Sequence, residues 1–181
     1  MPWPTAGQYV FDNSRSLVKV FTYKVPNLMS AIAHDLELHG SLLEGTVTVD
    51  EETARVEALV ELWNLQVRDG ILGSMQKSEC EKLLRKKILQ SKDKAWARFS
   101  GRATRGDSPK VAGDLSLMGS RTKKVELACT LTTLEAGSLA VSLRHELLQT
   151  DYGMKPFKSM MGMLQLQDRV VVEIEAVLKP K

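Results

Sequence analysis

Residues 139–148 (LAVSLRHELL) and residues 170–178 (VVVEIEAVL) decide the fold of this chain. In the first run every second position is apolar or histidine, which is the spacing of a β-strand with one buried face. Those positions are Leu139, Val141, Leu143, His145 and Leu147. The second run is rich in β-branched residues and predicts another strand. Between the runs, Gly153, Pro156 and Gly162 interrupt regular structure and indicate an irregular segment near 150–163.

The composition limits the functions that the chain can serve. With 181 residues, of which 43% are hydrophobic, a single domain over residues 1–181 with a sizeable core is expected. No apolar run approaches the ~20 residues of a membrane-spanning helix. The two cysteines do not form a disulfide framework, and a net charge of +3 is too small to indicate nucleic-acid binding.

The first residues, MPWPTAG, lack the basic and apolar regions of a signal peptide. We therefore expect a cytoplasmic protein, or a periplasmic one if a signal has been removed.

The same alternation recurs along most of the chain, with turn residues between the runs. It predicts an antiparallel β-barrel of about eight strands, with a two-sheet sandwich as the alternative. Glu44-Gly45 is interpreted as a two-residue hairpin turn. The loop at 135–137 (EAG) ends in a glycine suited to the left-handed position, and its odd length places Cys129 opposite Leu143.

One helix is predicted, from Ser78 to Gln90, because Ser78 and Glu81 match a capping box. Its apolar residues Cys80, Leu83, Leu84 and Ile88 form one stripe. The outer face of the preceding strand is also apolar and needs a cover, which is either this helix or a second copy in a symmetric dimer. That face consists of Leu59, Trp63, Leu65 and Val67.

The inward faces define a candidate ligand-binding set inside the barrel. The apolar members are Leu36, Leu38, Phe99, Leu117, Leu127, Leu131 and Leu143, and the polar members are His34 and His145. From the irregular segment, Tyr152, Met154 and Met163 are added as residues at the mouth. A histidine on an apolar strand is either an ordinary core residue with one hydrogen-bond partner or an anchor for a ligand headgroup.

Neither a metal nor a cofactor is predicted. A metal site needs at least three converging ligands, and His34, Cys129 and His145 are the only inward candidates. His34 and Asp35 are neighbours on a strand, so their side chains point to opposite faces and form no catalytic dyad. The chain also lacks the common nucleophile, phosphate-loop and zinc motifs, and we expect no enzyme activity.

Several segments resemble the YceI-like family. They are Tyr9-Val10-Phe11-Asp12, then residues 111–119 (VAGDLSLMG) followed by Thr122-Lys123-Lys124-Val125, residues 150–156 (TDYGMKP), and Asp168-Arg169-Val170. The resemblance covers nearly the whole chain and implies a lipocalin-like barrel that binds polyisoprenoids or other long amphiphiles. Its motifs consist of turn glycines and alternating apolar residues, so they specify the fold better than the ligand.

The leading hypothesis is therefore non-catalytic binding or carriage of a long apolar or amphiphilic molecule in the barrel, such as an isoprenoid, a fatty acid or amide, or a quinone-like compound. The alternative is a protein-interaction or stress-related structural barrel whose core is filled by its own side chains. A basic stretch in the middle of the chain is either a solvated face or a transient membrane-surface contact. It contains Arg98, Arg102, Arg105, Lys110, Arg121, Lys123 and Lys124.

Overall fold

The computed structural model of the protein describes residues 3–26, 35–41, 43–106, 110–159 and 164–181. It is mainly β, as the sequence predicts, with one main helix, α1, at Ser74–Leu83. The strands are β1 (Gly7–Phe11), β2 (Leu17–Lys24), β3 (Leu36–Gly40), β4 (Leu43–Val49), β5 (Thr53–Glu61), β6 (Gln66–Val67), β7 (Trp96–Thr104), β8 (Lys110–Leu117), β9 (Thr122–Thr133), β10 (Leu139–Leu148), β11 (Lys158–Ser159) and β12 (Leu164–Pro180).

The sheet closes into an antiparallel barrel of eight strands. Around the barrel the order is β1, β4, β5, β7, β8, β9, β10 and β12, and β12 pairs again with β1. The chain therefore forms the predicted barrel and not the alternative sandwich. Strands β2 and β3 extend β1 and β4 at one end, where the short β6 joins them.

Closure depends on β12, the longest strand. One edge of β12 pairs with the whole of β10, from Leu139 opposite Leu178 to Leu148 opposite Arg169. The other edge pairs first with β2 and then with β1, where Tyr9 lies opposite Pro180. Because both edges are paired over most of their length, most backbone donors and acceptors of β12 are satisfied within the sheet.

Side chains close one end of the barrel, which we call the N-terminal end. Tyr9, Val49, Leu139 and Leu178 are buried there in one cluster, and Trp3 packs against it. The Trp3 indole Nε1 donates a hydrogen bond of 2.7 Å to the carbonyl oxygen of Asp50, which fixes the N-terminal segment across this end.

The predicted β9–β10 loop is confirmed. Residues Glu135–Gly137 form a single short turn, in which Gly137 has a φ of +72°. Cys129 lies opposite Leu143, as the odd loop length requires. The alternation on β9 and β10 therefore places their odd-numbered residues on the inner face.

The predicted hairpin at Glu44-Gly45 is wrong. Both residues lie inside β4, where Gly45 pairs with Ala58 of β5. Gly45 has a φ of +131°, and a Cβ atom there would lie 1.9 Å from the carbonyl oxygen of Glu57. The glycine is needed because the backbones of β4 and β5 approach closely, and not because the chain turns.

The predicted helix is confirmed, but its predicted start is wrong. It begins at Ser74, and Gly73 precedes it as the N-cap, with its N–H donating to the Gln76 side-chain oxygen at 3.3 Å. Ser78 lies inside the helix, so the Ser78 and Glu81 pattern is not a capping box. After Leu83 the helix widens into a π-helical turn at Leu84–Leu89, which rotates the later apolar residues relative to the earlier ones.

The face assigned to Leu65 and Val67 is wrong, because the alternation does not continue beyond β5. The strand ends at Glu61, and the Leu65 N–H donates to the Leu62 carbonyl oxygen in a turn. Leu65 (4% exposed) and Val67 (1%) are buried with Leu38. Cys80 and Leu84 pack against this cluster, so the helical segment covers it. Trp63 and Leu59 are only partly buried.

We predict that Gly45→Ala destabilises the protein strongly. The new Cβ atom would overlap the Glu57 carbonyl oxygen in a conformation that L-residues rarely adopt, at a cost of about 3 kcal/mol or more in the free energy of unfolding. Gly119→Ala is the control, since Gly119 also has a positive φ but has no atom within 4 Å of the added methyl group. Its cost should be about 1–2 kcal/mol. Urea unfolding of both variants measures the difference, and equal costs would contradict this account.

Candidate functional site

The barrel encloses an apolar cavity of about 310 Å³. It extends along the barrel, and every strand of the closed sheet contributes inward side chains. At the end opposite Trp3, the cavity is bordered by residues from the β5–β6 turn and the π-helical turn, which are Leu62, Leu65, Leu84, Ile88 and Leu89. A strand pattern alone does not reveal this group, since its members come from a turn and an irregular helix.

Most residues of the predicted ligand-binding set line this cavity. They are Leu38, Phe99, Leu117, Leu127, Leu131, Leu143, His145 and Met154. Leu36 and Tyr152 do not line it, and His34 and Met163 lie outside the described residues. The structure thus brings together the inward face that the alternation predicts, while contact of these residues with a ligand stays a prediction.

Tyr152 serves a structural purpose at the end of β10. Its side chain is buried, and burial raises the pKa of its phenol. The Ser120 hydroxyl donates to the Tyr152 carbonyl oxygen, which joins the β8–β9 turn to the segment after β10. Leu36 packs against the cluster of Leu38, Leu65 and Val67.

Phe99 lies along the wall of the barrel and not across its centre. Gly101 and Gly113 face each other on β7 and β8, and a Cβ atom at either position would meet the Phe99 ring, at 2.5 Å and 2.9 Å. The two glycines therefore provide the space that the ring occupies. This arrangement leaves the middle of the barrel open.

His145 is a titratable polar group of the cavity wall. It lies on β10 opposite Val172, and its ring makes no hydrogen bond to any of the described residues. Burial lowers the pKa of His145, with a smaller opposing contribution from Glu146. The neutral ring keeps one donor and one acceptor for a bound molecule or water.

Thr22 is a second polar group on this wall, which the sequence analysis missed. Its hydroxyl is buried and has no hydrogen-bond partner among the described residues. Thr22 lies opposite Val170, which is two residues from the Val172 that faces His145. Strand spacing therefore separates Thr22 and His145 by roughly 12 Å. The alternation of Val18 and Val20 on β2, continued by two residues, predicts that Thr22 also faces inward.

Gln149 also borders the cavity and was not predicted. It is buried, and its Nε2 donates to the carbonyl oxygens of Gln167 and Asp168 at 3.0 and 3.3 Å. The side chain thereby holds the end of β10 against the start of β12. Gln149 lies one residue beyond the end of β10, so the alternation along the strand gives only weak evidence that its side chain faces the cavity.

Cys129 lies half-buried in the wall, and burial raises the pKa of its thiol. A raised pKa lowers the thiolate fraction, so this cysteine is not activated as a nucleophile. In the part of the chain that the structure describes, no three histidine, cysteine or carboxylate side chains converge as a metal site would require. No described helix is long and apolar enough to cross a membrane.

Solved structures with this fold come from several bacteria. BcnA of Burkholderia cenocepacia is 13% identical, with a TM-score of 0.67, and the match covers 92% of this chain and 98% of BcnA. A polyisoprenoid-binding domain from Saccharophagus degradans, implicated in plant cell wall breakdown, is 12% identical, with a TM-score of 0.68 and coverage of 98% and 100%. The Campylobacter jejuni YceI protein is 13% identical, with a TM-score of 0.53 and coverage of 77% and 82%.

These likenesses confirm the predicted YceI-like fold. No protein-family model and no curated protein sequence matches the chain.

We predict that leucines of the wall differ in their contribution to stability according to how completely their side chains are buried. Leu139 is 2% exposed and close-packed, so Leu139→Ala should lower the free energy of unfolding by about 3–5 kcal/mol. Leu127 is only partly buried, so Leu127→Ala should cost less than about 2 kcal/mol. Denaturant unfolding of both variants provides the comparison. Equal losses would indicate a barrel filled by its own side chains.

We also predict a pH dependence of stability that comes from His145. Because its pKa is lowered in the folded state, the unfolded chain binds a proton more readily, near the ordinary value of 6.5. The stabilisation is fully present above that value and is lost as the pH falls through the folded pKa. His145→Leu should therefore flatten the decline of unfolding free energy on the acidic side of 6.5. Parallel pH profiles for the two proteins would contradict this assignment.

Proposed function

We propose that the protein binds one long-chain amphiphile inside the barrel and catalyses no reaction. The observation that carries this proposal is the continuous apolar cavity of about 310 Å³, which reaches the size of small-molecule sites. An apolar tail gains free energy by leaving water for such a cavity. The Saccharophagus degradans domain, which has the same fold, is described as polyisoprenoid-binding, and this supports a ligand with a long apolar tail.

The chemistry of the lining supports an uncharged polar head on that ligand. None of the described lining residues is a lysine, an arginine, an aspartate or a glutamate. A carboxylate or phosphate placed here would lose its hydration without gaining a countercharge. Neutral His145 and the Thr22 hydroxyl instead offer hydrogen bonds to an alcohol, an amide or a carbonyl oxygen. Among the ligands considered from the sequence, isoprenoid alcohols, fatty amides and quinone-like compounds fit better than ionised fatty acids.

The alternative of a self-filled barrel is less well supported. In a self-filled core, inward side chains meet across the centre at close-packed density. Here Phe99 lies against Gly101 and Gly113 on the wall, and Leu127 and Leu143 remain only partly buried although they face inward. A symmetric dimer and a transient membrane-surface contact, both considered from the sequence, stay predictions, as does the cytoplasmic location.

The substitution Thr22→Val tests whether the Thr22 hydroxyl on the cavity wall binds the polar head of the ligand. The two side chains have nearly the same shape, so the substitution mainly removes a buried hydroxyl that has no hydrogen-bond partner in the described part of the chain. We expect the unfolding free energy of the unliganded protein to rise by about 1 kcal/mol and its affinity for a long-chain primary alcohol to fall about fivefold. Thr48→Val, on the exposed face of β4, is the matched control and should change neither quantity.

Ligand-binding titrations of the unmodified protein at pH 8 measure its preference among head groups. A primary alcohol, a primary amide and a carboxylate of equal chain length compete for the cavity, and we expect the carboxylate to bind about tenfold more weakly. Equal affinity for all three would contradict the uncharged-head assignment. Failure of all three to bind would contradict the proposed function itself.

A further inference from the structure

The wall of the barrel is not continuous between β9 and β10. The two strands pair from Thr133 opposite Leu139 to Cys129 opposite Leu143, and the pairing ends there. Over their remaining lengths, residues 122–128 of β9 and 144–148 of β10 are not paired with each other, and all of these residues are described. Each strand nevertheless stays paired with its other neighbour, β8 or β12. We call the resulting opening the β9–β10 window.

The charges on the two edges explain why they separate. If the register continued beyond Cys129 and Leu143, Glu126 would lie directly opposite Glu146 on the outer face. Like charges in that position destabilise strand pairing. Both carboxylates form ion pairs on the far sides of their strands, Glu126 with Lys110 at 2.7 Å and Glu146 with Arg169 at 2.7 Å. These ion pairs join each edge to its outer neighbour, and neither crosses the window.

The cavity and an outer groove share wall residues at the start of the window. The groove, of about 580 Å³, lies beside the window and is bordered by Lys110, Arg144 and Glu173 among others. Cys129, Leu143 and Ile174 line both this groove and the inner cavity. His145 is the first inward residue of β10 beyond the last pair, so the titratable polar group of the cavity stands at the inner rim.

The window also suits the passage of a polar head better than the rest of the wall does. In the paired wall, backbone N–H and C=O groups are already bonded to neighbouring strands. Along the window edges these groups face an unpaired gap and can bond to a passing hydroxyl, amide or water. A head group that moves through the window therefore replaces its hydrogen bonds to water with hydrogen bonds to the strand edges.

Described elements lie across both ends of the barrel. Trp3 and Pro4 border the cavity at the N-terminal end, and Leu84, Ile88 and Leu89 border it at the other. The window runs from the last β9–β10 pair to the ends of the two strands at Thr122 and Leu148. Its far side is bounded by the hydrogen bond from the Ser120 hydroxyl to the Tyr152 carbonyl oxygen and by the ion pair of Lys123 with Asp151 at 3.4 Å. We propose that the β9–β10 window is the port through which the amphiphile enters and leaves, with its polar head passing between the two strands. This inference rests on the proposed function.

Crosslinking the window tests the port. In a background of Cys80→Ser and Cys129→Ala, the pair Glu126→Cys and Glu146→Cys is joined across the window with a short bis-maleimide. The control pair is Thr132→Cys and Ala140→Cys, which face each other on the outer side of the paired stretch and do not line the groove. Each variant before crosslinking serves as its own reference. If the first double variant fails to fold, the pair Ala128→Cys and Arg144→Cys replaces it. These two residues lie at the start of the window, next to the last paired residues.

Exchange of a bound long-chain primary alcohol for its deuterated form is followed by native mass spectrometry. We expect the window crosslink to slow exchange about tenfold with little change in equilibrium affinity, and the control crosslink to leave the rate unchanged. Normal binding with an unchanged rate at the crosslinked window would overturn the port and leave the proposed function intact. Absence of alcohol binding in every variant would overturn both.

Discussion

The structure depends on the closure of its sheet by β12. Because this strand pairs with β10 along one edge and with β2 and β1 along the other, no open edge remains at the seam. Closure fixes which face of every strand points inward, and each strand then contributes alternate side chains to one interior. The cavity, its polar groups and the cover formed by the helical segment all follow from this constraint.

The parts of the fold that could be predicted from the sequence are those that alternation determines within a single strand or across one short loop. His145 and Leu143 were placed on the inner face because β10 is regular throughout, and Cys129 was paired with Leu143 because the loop between the strands has an odd length. Gly45 was misread because glycine marks both tight turns and close backbone approaches, and the local sequence does not distinguish them.

Other features depend on contacts between segments that are distant in the sequence. Leu65 was assigned to the wrong face because the chain leaves the sheet after Glu61, where the period of two no longer applies. Of the two polar groups on the cavity wall, the sequence predicted His145 and not Thr22. That the Thr22 hydroxyl is buried without a partner among the described residues is seen only once β2 and β12 are placed together. The ion-pair partners of Glu126 and Glu146, beside the end of the β9–β10 pairing, come from β8 and β12, and neither strand's own pattern contains them.

Together these features assign different roles to the apolar interior of the barrel and to the polar groups on its wall. The apolar interior accepts a chain of methylene or isoprenoid units, while His145 and Thr22 on one wall set the orientation of a polar head. The Thr22 hydroxyl costs free energy in the unliganded protein, because it is buried without a hydrogen-bond partner among the described residues. A ligand that supplies the missing hydrogen bonds recovers that cost, which favours neutral polar heads over purely apolar molecules.

Native mass spectrometry of the gently purified protein, followed by organic extraction of whatever it carries, tests whether an amphiphile occupies the barrel. We expect a protein mass that exceeds that of the chain by one long-chain amphiphile with an uncharged polar head. Extraction should release this molecule, and a long-chain primary alcohol should replace it. A protein that purifies empty and takes up neither the alcohol nor the amide would contradict the account.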